Sequence, residues 1–336
     1  MAKILLITDA WHPQTNGVVT TLTNLVAQAR AHGDTVHTYH PRRCTIRIPL
    51  WFYPEIEIGI PNPFHVRRLL KRRIWDHIHI ATPEGSLGMA FASACRRLRI
   101  PFSTSCHTRF PEVISARWPA IPVSLGWWWM RRCYRGATVV LTTTESMVQE
   151  LTDRGFTQPV HAWTRGVDRT TFYPVFQEPS SPKIVLCVSR VSHEKGLDDF
   201  CALDVGSAQK VVVGDGPYLN DLKNRYPEVL FTGKRTGREL GDWYRRAAVF
   251  VFPSRSDTFG VVNIEALACG TPVAAYPVTG PIDIIDHGVN GYLSEDLSEA
   301  VRVCLTLDRD VVASTADRWT WESCYEQFTS ILIPAK

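Results

Sequence analysis

Asp257 and Glu265 stand eight positions apart in the stretch Val251-Phe252-Pro253-Ser254-Arg255-Ser256-Asp257-Thr258-Phe259-Gly260-Val261-Val262-Asn263-Ile264-Glu265. The pattern changes between them. Residues 249–252 are apolar without alternation and read as a buried strand closed by Pro253. A helix then starts near Gly260, with Val261, Ile264, Leu267 and Ala268 on one side. Gly270 suits a left-handed cap and Pro272 forbids continuation. Asp257 therefore lies in the turn before a helix, and Glu265 lies on it. The N–H groups of Phe259, Gly260 and Val261 face the same space. A helix start favours an anion, and Gly260 lets a ligand approach the backbone closely. Such a site holds a sugar through Asp257, a phosphate through the N–H groups and a ribose diol through Glu265. An ordinary strand–turn–helix with two solvated acids has the same pattern.

Two cations and a histidine extend this chemistry. Arg190 ends an apolar run at 183–189, and Lys195 stands just before the next helix. Together they suit a diphosphate clamp, supplying the positive charge that a leaving pyrophosphate needs; the other reading is a surface ion pair. His107 follows the run 102–106, at the strand end where open α/β sheets place their sites, although a lone histidine is often simply packed. Lys234, after a strand at 229–232, is placed to line a nucleotide base.

These residues need two strand–helix scaffolds. The first begins with a strand at 3–8 and a helix through Val18, Leu22, Leu25, Val26 and Ala29, opening a Rossmann-like unit with Gly17 at the crevice. Without G-x-G-x-x-G, Gly17 is a ligand-approach or a plain turn glycine. Strands follow at 77–81, 102–106, 138–142 and 159–164, and helices at 84–99 and 145–154. Residues 172–183, with Pro174, Pro179 and Pro182, read as a linker. The second scaffold restarts at 183. The expected division is 1–168, 169–318 and a closing helix at 318–332 that carries the 319–336 tail back to the first domain.

A chain of 336 residues with 45% hydrophobic and 21% charged side chains is globular and large enough for two cores. It shows no signal peptide and no bilayer-spanning run, and its nine cysteines are scattered without a C-x-x-C pair, which suits reduced thiols in a cytoplasm. The histidines are scattered and no metal-ligand cluster is visible, so neither metal nor cofactor is expected.

Charge is unequal along the chain. Residues 1–165 carry +10 and residues 166–336 carry −6. Residues 63–75 read as an amphipathic helix with Val66, Leu69, Leu70 and Ile74 on one face and Arg67, Arg68, Lys71, Arg72 and Arg73 on the other. Further on, Trp127, Trp128 and Trp129 precede Arg131 and Arg132. Three consecutive tryptophans cannot all enter one core from a helix. Tryptophan beside arginine is the composition of a bilayer interface, although a solvated cationic face and domain packing are the plainer alternatives. An anionic membrane is the expected partner, rather than nucleic acid.

Carboxylate, seven residues, glutamate, then Ala-Leu-Ala-Cys-Gly-Thr-Pro-Val resembles the E-x7-E signature of retaining glycosyltransferases of family 4, with Asp257 in place of the first glutamate. Ser189-Arg190 followed by Glu194-Lys195-Gly196 resembles that family's phosphate-binding signature. Asn16-Gly17-Val18, Gly214-Asp215-Gly216-Pro217, His107-Thr108, Val278-Thr279-Gly280-Pro281 and the run from His287 to Tyr292 match further family turns. The resemblance covers most of the chain and is strongest at 183–292; its first half is similar to bacterial lipid glycosyltransferases and α-mannosyltransferases. It implies the GT-B fold, an α/β fold of two Rossmann-like domains facing across a cleft, with the last helix returning to the first. It also implies hexose transfer from a UDP- or GDP-sugar, with retention, to an acceptor hydroxyl. A membrane lipid such as diacylglycerol, at the inner face of the cell membrane, is the preferred acceptor. Catalysis would then rest on His107, Arg190, Lys195 and Asp257. Gly17, Gly214, Gly216, Lys234, Phe259, Gly260, Val261 and Glu265 would complete donor binding. A nucleotide-sugar epimerase of the same fold, or a membrane- or RNA-binding protein with a vestigial cleft, are the alternatives.

Overall fold

The computed structural model describes residues 1–336 except 15, 51, 52, 73, 119, 176–181 and 336. Arg73 of the cationic helix and the middle of the expected linker therefore lie outside the described residues. The chain forms two units, Met1–Arg165 with Trp321–Lys336, and Gly166–Thr320.

The first unit runs β1 (Lys3–Ile7), α1 (Gly17–Ala31), β2 (Thr35–Tyr39), β3 (Ile46–Leu50), β4 (Tyr53–Ile60), α2 (Pro63–Lys71), β5 (His77–Ile80), α3 (Ser86–Leu98), β6 (Ser103–Ser105), α4 (Phe110–Arg117), α5 (Val123–Tyr134), β7 (Val139–Thr142), α6 (Glu145–Asp153) and β8 (Val160–Ala162). Six strands pair in parallel in the order β2-β1-β5-β6-β7-β8, and β3–β4 is a separate antiparallel hairpin. Helices cover both faces, which is why β1 reads as an unbroken apolar run. Leu5 and Ile7 pack with Val66, Leu70 and Phe91, while Ile4 and Leu6 pack with Leu22, Leu25 and Phe328.

The second unit runs β9 (Ile184–Val188), α7 (Leu197–Ala202), β10 (Gln209–Val213), α8 (Leu219–Arg225), β11 (Leu230–Phe231), α9 (Gly237–Arg246), β12 (Ala247–Phe252), α10 (Val261–Ala268), β13 (Val273–Ala275), α11 (Pro281–Ile284), β14 (Gly291–Leu293), α12 (Leu297–Cys304) and α13 (Arg309–Thr315). Its parallel sheet has the order β11-β10-β9-β12-β13-β14. Phe250 and Phe252 face α10 through Ile264 and Leu267; Val249 and Val251 pack against Leu197 and Phe200.

A last helix, α14 (Trp321–Ile331), belongs to the first unit. Cys324, Tyr325 and Phe328 are buried there, and the Trp163 indole donates to the Cys324 carbonyl at 2.9 Å. It is shorter than the expected helix at 318–332. Trp319 stays in the second unit, edge-on to Phe259. The helix expected over 63–75 also ends early, at Lys71. There the Trp75 indole donates to the Leu69 carbonyl at 3.1 Å, satisfying a C-terminal orphan and turning Trp75 into the core. The helix expected over 84–99 starts at Ser86, which leaves Glu84 in the loop. Hairpin β3–β4 and α4 have no counterpart in the sequence reading. All nine cysteines are free and buried. Among the described residues no helix is long and apolar enough to cross a membrane.

Candidate active site

In a parallel sheet every strand ends on the same edge. In the second unit that edge carries the loops after β9, β10, β11 and β12, and with them Arg190, Lys195, Gly214, Gly216, Lys234 and Asp257. Lys195 ends a short 3₁₀ turn at His193–Lys195. A Cβ on Gly196, whose φ is +64°, would stand 2.4 Å from the Pro253 carbonyl, so only glycine lets this turn lie against the loop after β12. The Ser256 hydroxyl donates to the Glu194 carbonyl at 3.3 Å. Lys195 Nζ then reaches Asp257 Oδ1 at 2.6 Å. Burial, the largest single influence, pushes the Asp257 carboxyl up, but the Lys195 ammonium, aided by the Ser254 hydroxyl, holds the group below the usual carboxylate value. Asp257 Oδ2 is buried and has no hydrogen-bond partner among the described residues.

Gly260 caps α10 with φ +82°, and a Cβ there would meet Phe252 Cζ at 2.8 Å. The first N–H groups of α10 have no intrahelical acceptor. One turn further, Glu265 Oε2 accepts from the Tyr244 hydroxyl at 3.1 Å. Burial raises the Glu265 carboxyl to about 7, against the Tyr244 hydrogen bond. Tyr244, itself buried on α9, was missed in the sequence because nothing local ties it to α10. Gly214 and Gly216 have a packing role: a Cβ would stand 1.8 Å from the Ser189 carbonyl and 2.3 Å from the Val191 carbonyl. Lys234 is exposed in the loop after β11. Among the described residues no group of three or more His, Cys, Asp or Glu side chains is placed to hold a metal ion.

The matching edge of the first unit holds His107, and also Asp9, Glu84 and Arg165, which were not singled out in the sequence. Each follows a strand of the sheet, so the strand-end rule that found His107 would have found them. Arg165 is 2% exposed and donates to the Trp163 and Thr164 carbonyls at 2.6 and 2.9 Å. Burial lowers it to about 10, which leaves it charged at neutral pH. It stands 3.1 Å from His107 Nδ1. A guanidinium only donates, so Nδ1 accepts, and His107 Nε2 carries the proton towards the Ser105 hydroxyl at 2.8 Å. Burial first, then the Arg165 charge, hold His107 well below its ordinary value, hence neutral. Gly17 is exposed at the start of α1, behind the Asn16 cap that accepts from the Val19 N–H.

Asp9 sits on the start of α3, accepting from the Leu87 and Gly88 N–H groups at 3.1 and 3.2 Å and from the Ser86 hydroxyl at 2.9 Å. Glu84 lies beside it, with the Tyr134 hydroxyl 3.2 Å from Oε2. Burial pushes the Glu84 carboxyl up to about 8. The folded chain therefore keeps a proton that the unfolded chain releases between about pH 4.5 and 8, and stability falls with rising pH across that window. Glu84→Gln should remove this loss, raising Tm by several degrees more at pH 8 than at pH 5. Equal shifts at both pH values in thermal melts would show that Glu84 is ordinary.

The residues expected at a membrane divide. Arg67, Arg68 and Lys71 on α2 and Arg72 at its C-cap are exposed, but Val66, Leu69 and Leu70 are buried. That helix offers its cations and, of its large apolar side chains, only Phe64 in its first turn, which is exposed; Ile74, expected on the apolar face, lies beyond the helix and is exposed. Trp127 is corrected outright: it is 1% exposed and donates to Glu112 Oε1 at 3.1 Å, whereas Trp128 and Trp129 are 49% and 44% exposed. A 100° step per residue on α5 puts one of three consecutive side chains inward.

Comparison with known proteins bears on the family and the fold. Residues 15–171 match the model described as Glycosyltransferase Family 4, and residues 182–310 that of Glycosyl transferases group 1. A GDP-mannose-dependent alpha-mannosyltransferase of Corynebacterium glutamicum is 31% identical over 320 residues, covering 87% of this chain and 76% of that protein. An alpha-monoglucosyldiacylglycerol synthase of Streptococcus pneumoniae is 24% identical, over 97% of this chain and 83% of its own length. Among solved structures, the HepE protein of Anabaena in complex with UDP and glucose superposes with a TM-score of 0.70 at 17% identity, covering 98% of this chain and 99% of that one. Sucrose-phosphate synthase of Thermosynechococcus elongatus gives 0.74 at 20% identity, with 98% of each chain covered.

Proposed function

Because the chain belongs to the family 4 glycosyltransferases, transferase enzymes of the GT-B fold, we propose that it moves a hexose from a UDP- or GDP-sugar to a membrane-lipid hydroxyl, with retention. The observation that carries the donor half is the one sheet edge holding Arg190, Lys195, Asp257, the start of α10 and Glu265. Arg190 and Lys195 balance the charge that grows on the leaving diphosphate. Asp257, whose Oδ2 lacks a partner, accepts from sugar hydroxyls, and Glu265, oriented by Tyr244, accepts from the ribose diol. The sugar C1–O bond to phosphate breaks as the acceptor oxygen bonds C1 on the same face. The acceptor proton passes to the departing phosphate. His107, neutral and fixed by Arg165 and Ser105, positions the sugar without serving as an acid.

The names of the relatives support the finer points. The Corynebacterium protein is named for GDP-mannose and an alpha-mannosyl product, and GDP-mannose is itself α-linked, which is retention. The Streptococcus protein is named for a glucosyldiacylglycerol, a lipid product. Nine buried thiols suit a reducing cytoplasm, and work at the inner membrane face follows from that and the lipid acceptor. The test is a screen of UDP- and GDP-sugars against a total lipid extract, with excess EDTA in one arm, since Arg190 and Lys195 are proposed to act without a metal. A new glycolipid, formed with release of UDP or GDP and insensitive to EDTA, is expected. Sugar interconversion without an acceptor would mean an epimerase, and failure to bind either nucleotide would mean a vestigial site.

The raised Glu265 carboxyl gives this reading a pH signature. Diol binding needs the ionised form, so the donor KM should fall as pH rises through about 7. Glu265→Gln should raise KM about tenfold, change kcat less and flatten that pH dependence, because a diol grip acts alike in ground and transition states. An unchanged KM at pH 8 would remove Glu265 from the ribose site.

A further inference from the structure

Helix α5 turns Trp127, Met130, Cys133 and Tyr134 into the core. Its other face is left apolar: Leu125, Trp128 and Trp129 are about half exposed, with Ile121 just before them. Steps of three and four place Leu125, Trp128 and Arg132 along one side of α5. The stripe ends at a cavity of about 270 Å³, lined by Trp128, Arg131, Arg132, Arg135 and the segment 155–158. No carboxylate among the described residues lies within 4 Å of any of these three guanidinium groups. On the neighbouring helices α4 and α6, Glu112 and Glu150 pair instead with Arg109 and Arg154. Arg131 donates to the Arg154 carbonyl at 2.8 Å, and Arg132 lies 5.6 Å over Trp128. The C-terminal end of α5 brings about half a negative charge, which balances less than one of the three.

We infer that this end of α5 is a membrane-docking site. The stripe enters the boundary between headgroups and acyl chains, and the arginine cavity takes the phosphate of an anionic phospholipid. An apolar face running into clustered arginines is what an interfacial helix needs. The exposed cations of α2 add long-range attraction, since Val66, Leu69 and Leu70 on its apolar face are buried and only Phe64 is exposed there. The inference shares the membrane with the lipid-acceptor reading but not its chemistry.

Co-sedimentation of the full chain with phosphatidylcholine vesicles, with and without phosphatidylglycerol, tests it in the absence of donor. Tight binding to the anionic vesicles only is expected. Each arginine at an anionic surface is worth about 1 kcal/mol, so Arg132→Gln with Arg135→Gln should weaken binding about 30-fold. This pair spares Arg131, which holds the Arg154 carbonyl, and an unchanged Tm confirms folding. Trp128→Ala with Trp129→Ala should abolish the fraction that stays bound at 0.5 M salt. Binding that is equal for parent and both pairs overturns the proposal. So does saturable binding of glycerol phosphate without vesicles together with indifference to lipid charge, which would assign the cavity to a soluble phosphate ester. Transfer to detergent-dispersed lipid is measured separately. Docking without transfer sinks only the acceptor reading, and transfer without docking sinks only this one.

Discussion

Lys195→Ala is expected to lower kcat by roughly 100-fold or more, the loss typical when one preorganised electrostatic group is removed from a transition state. The diphosphate of the bound donor already carries two negative charges and gains a further one as its bond to C1 breaks, so the loss should fall on kcat through that added charge, with a rise in the donor KM beside it. The structure adds a second consequence. Lys195 is the cation that holds Asp257 ionised, at 2.6 Å, against the burial that pushes its carboxyl up. That contribution to stability is present above the ordinary carboxyl value and is lost as pH falls through the depressed one. Without Lys195, Asp257 keeps the cost of burial and loses its partner. Both side chains are about a quarter exposed, so solvent softens the penalty. Pairing Lys195→Ala with Asp257→Asn should restore stability and not turnover. Nucleotide release kinetics, with thermal melts alongside, check both; turnover of Lys195→Ala within a factor of a few of the parent would dismiss the diphosphate role.

Gly214→Ala should lower Tm by roughly 2–12 °C, taking overpacking at about 1–3 kcal/mol and the usual conversion for a unit of this size. The obstruction is backbone and cannot swing aside. A Cβ would lie 1.8 Å from the Ser189 carbonyl, while Ser189 N–H donates to the Val213 carbonyl at 3.2 Å and Gly214 N–H to the Gly233 carbonyl at 3.0 Å. Making room means parting the loops after β9, β10 and β11, which moves Arg190 as well. Calorimetry decides it, and a shift under about 2 °C would show that the loops yield. The family-like turn around Gly214 is thus explained by close packing of strand ends, whatever its contact with the donor.

How much was legible in the sequence follows the range of the forces involved. The buried strands of β1, β9 and β12 were readable because a strand covered on both faces has no alternation. The placing of Asp257 before a helix and Glu265 on it was readable because Gly260, the apolar spacing and Pro272 all act within a few residues. Helix ends were less legible. Trp75 stops α2 by reaching back to a carbonyl six residues away, a contact that periodicity does not register.

By itself, then, the sequence determined local structure: strand and helix identity, the cap at Gly260 and the cationic character of the first half. These depend on backbone torsions and side-chain spacing among neighbours. Only the tertiary structure decided which distant groups meet. Lys195 and Asp257 are 62 residues apart and pair because β9 lies beside β12, although the chain visits β10 and β11 between them. Asp9 caps α3 across 78 residues, and Arg165 fixes the tautomer of His107 across 58. Which tryptophan of Trp127, Trp128 and Trp129 turns inward was also settled there, by the phase at which α5 meets the core. Strand order and helix phase are collective outcomes of packing, and no short stretch of residues encodes them.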